Sequence, residues 1–313
     1  MRWQKREQKV QLDQYYVEVD VADVYTQGSK TEQFPVYLPH ELFGAVHQSG
    51  CSEQVFGAKP DEFWDCVRGS KWARVHFENE SMLKWTYPVR MHGDDAAMKS
   101  LQNQKLVIVS FHSALSTLSS LKSRWLSFAI RDKLLIASKT LQQLFVVIAW
   151  SMNVAFAGRW PATDHLGEPL PELYGRKVGA HRYAMRTTPL AGPYRFAFTG
   201  ALGDQAWHDK VYYPVLNSWR HNFCCFRCGA SKVFAELHFL DFSDDAGWRD
   251  TIVQTAMFLE SLGPGEAHPL IYIIGWHLML LRLDWMHAHM LGVAQVVNAN
   301  VLWELCQALL LLF

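Results

Sequence analysis

One stretch constrains this chain more than any other: Lys139–Gly158, whose interior LFVVIAWSMNVAFA (residues 144–157) is apolar almost all the way round. A helix without a polar face must be buried, in lipid or against other elements of a core. Spanning a bilayer takes roughly 20 apolar residues, and this run is shorter and carries Ser151 and Asn153. Leu270–Leu281 is shorter again and is interrupted by His277. Both read as buried helices of a soluble, intracellular protein with no membrane partner. The first stops at Gly158, with Pro161 close behind, a common way to end a helix.

A buried helix needs strands or helices around it, and the flanking sequence supplies strands. Trp85–Met91 (WTYPVRM) and Lys105–Phe111 (KLVIVSF) are β-branched and aromatic runs, Trp125–Ile136 offers a third, and Tyr194–Ala201 (YRFAFTGA) a fourth. The mixture predicts an α/β class. Half of the 313 residues are hydrophobic, ample for a sizeable core. Before Trp85 the sequence offers one alternating edge strand, Tyr15–Val24, and helical patterns over Leu38–Gly57 and Pro60–Arg68. Residues 1–80 thus read as a mainly helical lead-in and 81–313 as the core. Within the core, residues 159–193 are dense in Pro and Gly and read as an extended loop or insertion. Gln205–Trp219 has a helical pattern, and after a break at Gly263–Pro269 the segment Ile271–Phe313 reads as a long apolar helix.

Lys+Arg and Asp+Glu balance at 30 each, so any nucleic-acid contact must come from local patches. The opening MRWQKREQKV has no apolar run behind it, unlike a secretory signal. Six Cys at 51, 66, 224, 225, 228 and 306 form no disulfide framework and suit a reducing compartment.

Three acids stand out. Asp94 and Asp204 each follow a Gly at the end of a predicted strand, and Asp284 sits within an apolar run, LLRLDWMHAHMLGV. Strand ends of an open sheet gather at one edge, where α/β proteins build sites. Carboxylates there offer the oxygen ligands that Mg²⁺ prefers, although Gly-Asp is also an ordinary turn signature. His287, one helical turn beyond Asp284, and His289 are metal candidates or core residues. Cys225-Phe-Arg-Cys228 suits two legs of a zinc site, with His208, His221 or His238 as partners, or stands as inert or redox-active thiols. The cluster Arg176, Lys177, Arg182 and Arg186 around Tyr183 has the make-up of a phosphate-contacting loop or of a solvated surface loop.

In this order, the acids and the Cys pair resemble the transposases of CACTA-type (En/Spm-like) DNA transposons, and more loosely other cut-and-paste transposases with a ribonuclease H-like core. Asp94 in MHGDDA matches an Asp closing the first core strand, with Asp95 where a Gly is usual. Asp204 followed by Cys225 and Cys228 matches the second acid and its Cys-x-x-Cys. Leu283-Asp284-Trp285-Met286-His287 matches a Leu-Asp-x-Met-His motif, the most specific of the three.

The resemblance implies a ribonuclease H-like mixed sheet flanked by helices, with a Cys-containing element inserted around residues 221–240. It implies that Asp94, Asp204 and Asp284 bind two Mg²⁺ or Mn²⁺ ions for two-metal phosphoryl transfer on DNA, and that Cys225 and Cys228 hold Zn²⁺. It further implies a nuclear location, self-association, and a divergent copy or fragment in which catalysis is retained or lost. The alternative is a non-catalytic, zinc-stabilised nucleic-acid-binding or scaffold protein derived from a transposase.

Overall fold

The apolar run does form a helix, and a five-stranded sheet is what buries it. In this computed structural model the described residues are 12–97, 105–137, 139–212, 222–225, 227–263, 267–283 and 300–301. The elements run β1 (Tyr15–Ala22), β2 (Ser29–Val36), α1 (Pro39–Gln48), α2 (Ser52–Phe56), α3 (Pro60–Val67), a 3₁₀ stretch (Lys71–Trp85), β3 (Thr86–Ala97) and β4 (Lys105–Ser113). They continue α4 (Ser120–Ser123), β5 (Trp125–Arg131), α5 (Thr140–Ala157), α6 (Ala180–Met185), β6 (Arg195–Gly203), α7 (Gln205–Tyr212), α8 (Thr255–Glu260) and β7 (Leu281–Leu283).

The main sheet has the order β5-β4-β3-β6-β7. β3, β4 and β5 pair antiparallel, while β6 lies parallel to β3 and β7 parallel to β6. The fold is therefore mixed α/β, a five-stranded mixed sheet flanked by helices. The first strands make a separate antiparallel hairpin, β1 with β2, where one edge strand in a mainly helical lead-in was expected. Alternation in YYVEVDVA predicts β1, whose Val17, Val19 and Val21 are buried. The exposed polar run SKTEQ of β2 has no such alternation and forms a strand only because β1 pairs with it.

α5 lies on the sheet face that carries Val89, Met91, Val107, Val109 and Phe128, with Phe145 meeting Phe128 at 5.9 Å. By length and composition alone it could cross a membrane, but most of it is buried inside the protein. Its polar interruptions are structural. The Ser151 hydroxyl bonds the backbone N–H (3.2 Å) and Nδ1 (2.8 Å) of buried His40. Asn153 donates to the Tyr272 carbonyl (2.9 Å) and accepts from the Ile274 N–H (2.8 Å). Gly158 closes the helix in the left-handed conformation, φ 71°.

The bonds to Asn153 fall within a segment expected to be a helix. Over 269–283 the chain makes two 3₁₀ turns, Pro269–Tyr272 and Leu278–Leu280, and then enters β7. Leu270, Ile273, Leu278, Leu280 and Leu281 are buried because the chain runs under α5 and along β6, with no amphipathic helix needed. The predicted helix over 271–313 is thus corrected at its start, and the remainder lies outside the described residues save 300–301.

Aromatic packing joins the first helices to the sheet. Phe43 of α1 stacks on Phe196 of β6 at 4.3 Å, Phe56 of α2 meets Tyr87 and Phe196, and the Trp64 indole donates to the Thr86 carbonyl at 2.7 Å. Val17, Phe43 and Val89 belong to one hydrophobic cluster, so the lead-in shares the core of the sheet.

This core also holds imidazoles. Burial pushes His40 and His268 down to about 3, and His76 and His112 down to about 4, with Arg182 and His181 adding to the effect at His40. These folded values lie below the ordinary 6.5, so below that pH the unfolded chain takes up protons that the native protein does not. The stability they contribute is present above pH 6.5 and is lost progressively toward pH 4. Thermal unfolding from pH 7.5 to 4 is expected to show a continuous fall in midpoint, shallower in His40→Gln. A midpoint that stays level from pH 7 to 5 contradicts this account.

Candidate active site

Side chains alternate along a strand, so Val89, Met91, Gly93 and Asp95 point to one face of β3, and Arg90, His92 and Asp94 to the other. The first face packs on α5 and α7. A Cβ at Gly93 would overlap the Trp207 ring of α7, and one at Gly203 would as well. Asp95, on the same face, pairs with Lys210 of α7 at 3.0 Å, and Lys210 also contacts Asp132.

Asp94 stands on the opposite side of β3 from these contacts. His92 is in register with Leu202; Asp94 comes two residues later within β3, and Asp204 two residues later in the chain, just past the end of β6 at Gly203. Both are partly buried. Asp94 Oδ1 accepts from the Asp95 N–H at 2.7 Å, and Asp204 Oδ1 from the Trp207 N–H at 2.6 Å. The second bond, with the His208 N–H donating to the Asp204 carbonyl, makes Asp204 the N-cap of α7. Each bond orients a carboxylate through one oxygen, and the other oxygen makes no hydrogen bond among the described residues. Two oriented, oxygen-only donors fit a hard divalent cation.

Asp284 lies outside the described residues, as do His287 and His289. Leu283, the residue before it in sequence, ends β7 in register with Gly203, the residue before Asp204. Among the described residues no group of three or more His, Cys, Asp or Glu is arranged to hold a metal ion.

In the Cys-containing element, residues 222–239 are tied by backbone bonds from Cys224 to Ala230 and between Ser231 and both Leu237 and Phe239. Burial pushes the Cys228 thiol up to about 11, and the adjacent Cys225 adds to the rise. A cation held by both sulfurs would act in the opposite sense by stabilising thiolates. His238 Nδ1 accepts from the Leu240 N–H at 3.4 Å, and His221 lies outside the described residues. His208 is buried on α7 and bonds the Arg282 carbonyl at 2.9 Å.

The basic loop divides in two. Arg176, Lys177 and Arg186 are exposed, with Arg186 over the Tyr183 ring at 3.7 Å. Arg182 turns inward: its guanidinium makes a two-pronged bond to buried Glu41 (2.5 and 3.1 Å) and lies over the Tyr15 ring. Its charge ties α6 to α1 instead of facing solvent.

Reading residues one motif at a time missed the polar alternation in VRMHGD. Arg90, His92 and Asp94 share one face, a pattern visible in the sequence once the strand is assigned. No family model, curated protein or solved structure matches the chain.

Proposed function

We propose that the chain is a transposase-like polynucleotidyl transferase or nuclease with a ribonuclease H-like core. In this reading Asp94, Asp204 and Asp284 bind two Mg²⁺ or Mn²⁺ ions. The observation that carries the reading is the position of Asp94 on β3 and of Asp204 just beyond the adjacent parallel strand β6, each carboxylate held by a backbone N–H. A first acid on the first core strand and a second closing a later strand is the arrangement the transposase resemblance leads one to expect. Asp284 joins them on its sequence motif and its position directly after β7.

When bound, such ions activate water or a DNA 3′-hydroxyl and stabilise the leaving oxygen. The protein's own part is to hold carboxylates at fixed orientation on one face. Lys210 neutralises Asp95, so the carboxylate next to Asp94 adds little repulsion to the site. Arg176, Lys177 and Arg186 are exposed and would contact phosphates, while Arg182 fixes their loop to Glu41.

The test is a Mg²⁺- or Mn²⁺-dependent DNA cleavage and strand-transfer assay on the intact chain and on Asp94→Asn, Asp204→Asn and Asp284→Asn. Asparagine caps a helix as well as aspartate does, so Asp204→Asn should lose activity to background while keeping its unfolding midpoint. Asp204→Ala should also lose about 0.5–2 kcal/mol of stability. Cleavage that survives all three amide substitutions, or that needs no divalent ion, sinks the reading. A folded, inert protein carrying stoichiometric zinc would favour the non-catalytic scaffold.

A further inference from the structure

The sheet face that carries Asp94 is lined with cations. Arg90 of β3 pairs in register with His112 of β4 and Gly200 of β6. A Cβ at Gly200 would touch Arg90 Cγ (3.8 Å) and Leu202 Cδ1 (3.9 Å), so those side chains share that face. One pleat repeat further on, the row Ser110, His92, Leu202, Arg282 crosses β4, β3, β6 and β7. Asp94 follows in the next row of β3, roughly 6.6 Å along. Arg227 closes the β7 end, donating to the Leu281 and Met279 carbonyls.

Among the described residues, this arrangement holds no carboxylate paired with either guanidinium. Among the described residues no ion pair reaches Arg90 or Arg282, and Arg90 Nε is buried without a hydrogen-bond partner. Among the described residues the Arg282 guanidinium meets the Trp72 ring, 5.6 Å from its carbon, and no carboxylate. Burial pushes the Arg90 guanidinium below its ordinary value, and the nearby Arg282 charge adds to this. The lining of histidines does nothing to offset this. Burial, Arg124, Arg90 and His92 hold His112 at about 4, so it is a neutral neighbour at pH 7. Cationic groups taken partly out of water without an opposing charge are costly, and an anion would remove that cost.

We propose that Arg90 and Arg282 form a phosphate-binding row, which seats a backbone phosphodiester of the nucleic acid one step away from the carboxylate edge. The inference rests on the nuclease reading for the identity of the anion. Two planar forks suit phosphate oxygens better than ammonium groups would. Their position on the Asp94 face, and not on the α5 face, aligns a bound strand with the acids. Arg176, Lys177 and Arg186 lie on a separate loop and do not belong to the row.

The experiment is fluorescence anisotropy with a labelled DNA duplex in EDTA, where no cleavage depletes the probe. Arg90→Gln and Arg282→Gln are each expected to weaken binding by about 10-fold or more. Each should also make log K against log[salt] shallower by about 0.9, one phosphate contact. Lys30→Gln, the same charge change on the remote β1–β2 hairpin, should leave that slope as it is. Arg90→Lys and Arg282→Lys should keep the slope and lose part of the affinity, since charge stays and the fork goes. Thermal unfolding of Arg90→Gln should be no lower than that of the parent, because an uncompensated charge has been removed. The proposal is overturned if the glutamine variants bind like the parent, if the parent binds no duplex, or if the substitutions lower stability and leave affinity alone. Loss of metal-dependent cleavage has no bearing on this assay, so the nuclease reading can fail while the phosphate row stands, and the reverse.

Discussion

Trp207→Ala is expected to cost about 3–5 kcal/mol of folding stability. Trp207 is 2% exposed, and its ring lies directly on the backbone of Gly93 and Gly203, so closely that a Cβ at either glycine would overlap it. Its indole N–H has no hydrogen-bond partner among the described residues, so the loss is packing alone. Chemical denaturation of the variant measures it. The two glycines precede Asp94 and Asp204, so the ring packs against the backbone that leads into both acids. Gly93→Ala should be destabilising on its own and partly tolerated in Trp207→Ala, where the space is open, giving a coupling term between the pair. Additive effects of the two substitutions would mean that the ring and Gly93 do not touch.

Glu41→Ala is expected to lower stability by about 3–5 kcal/mol, because it leaves the Arg182 guanidinium without its carboxylate in a mostly buried site. The Glu41 side chain is 3% exposed and that of Arg182 14%. Arg182 also donates weakly to the Asp13 and Gln14 carbonyls, and the Gly179 N–H donates to Asp13 Oδ2 at 2.8 Å. Together these bonds tie the segment 159–193 to α1 and to the chain leading into β1. Arg182→Ala should match Glu41→Ala within about 1–2 kcal/mol, and the double variant should cost less than the sum. The sequence reading placed Arg182 among residues that contact nucleic acid. If Arg182→Ala weakened duplex binding without lowering the unfolding midpoint, that role would be restored and the structural one lost.

Much of the architecture was legible locally. Strand-forming runs at 85–91, 105–111, 125–136 and 194–201 each fall largely on an observed strand, the third running past β5 into a 3₁₀ turn at Asp132–Leu134, and Lys139–Gly158 falls on α5 with its glycine stop. Asp94 and Asp204 were singled out because each follows Gly near a strand end. That local signature is the same for a turn and for a site, and the sequence could not separate them. The glycines prove to be contact surfaces for Trp207, and Asp204 is both a helix cap and a carboxylate at the sheet edge.

What the sequence alone determined was the class of each strongly patterned segment, because periodicity and turn chemistry act between residues close in the chain. Only the tertiary structure decided the rest. It made β2 a strand by pairing with β1, and it turned residues 269–283 from an expected helix into 3₁₀ turns and β7. It sent Arg182 inward to Glu41, and it set Arg90 and Arg282 on the face of Asp94. The β1–β2 pairing apart, these outcomes depend on register and partners far away in sequence: 141 residues separate Arg182 from Glu41. A local pattern carries no record of which distant segment will supply its pairing, its counter-charge or its cover.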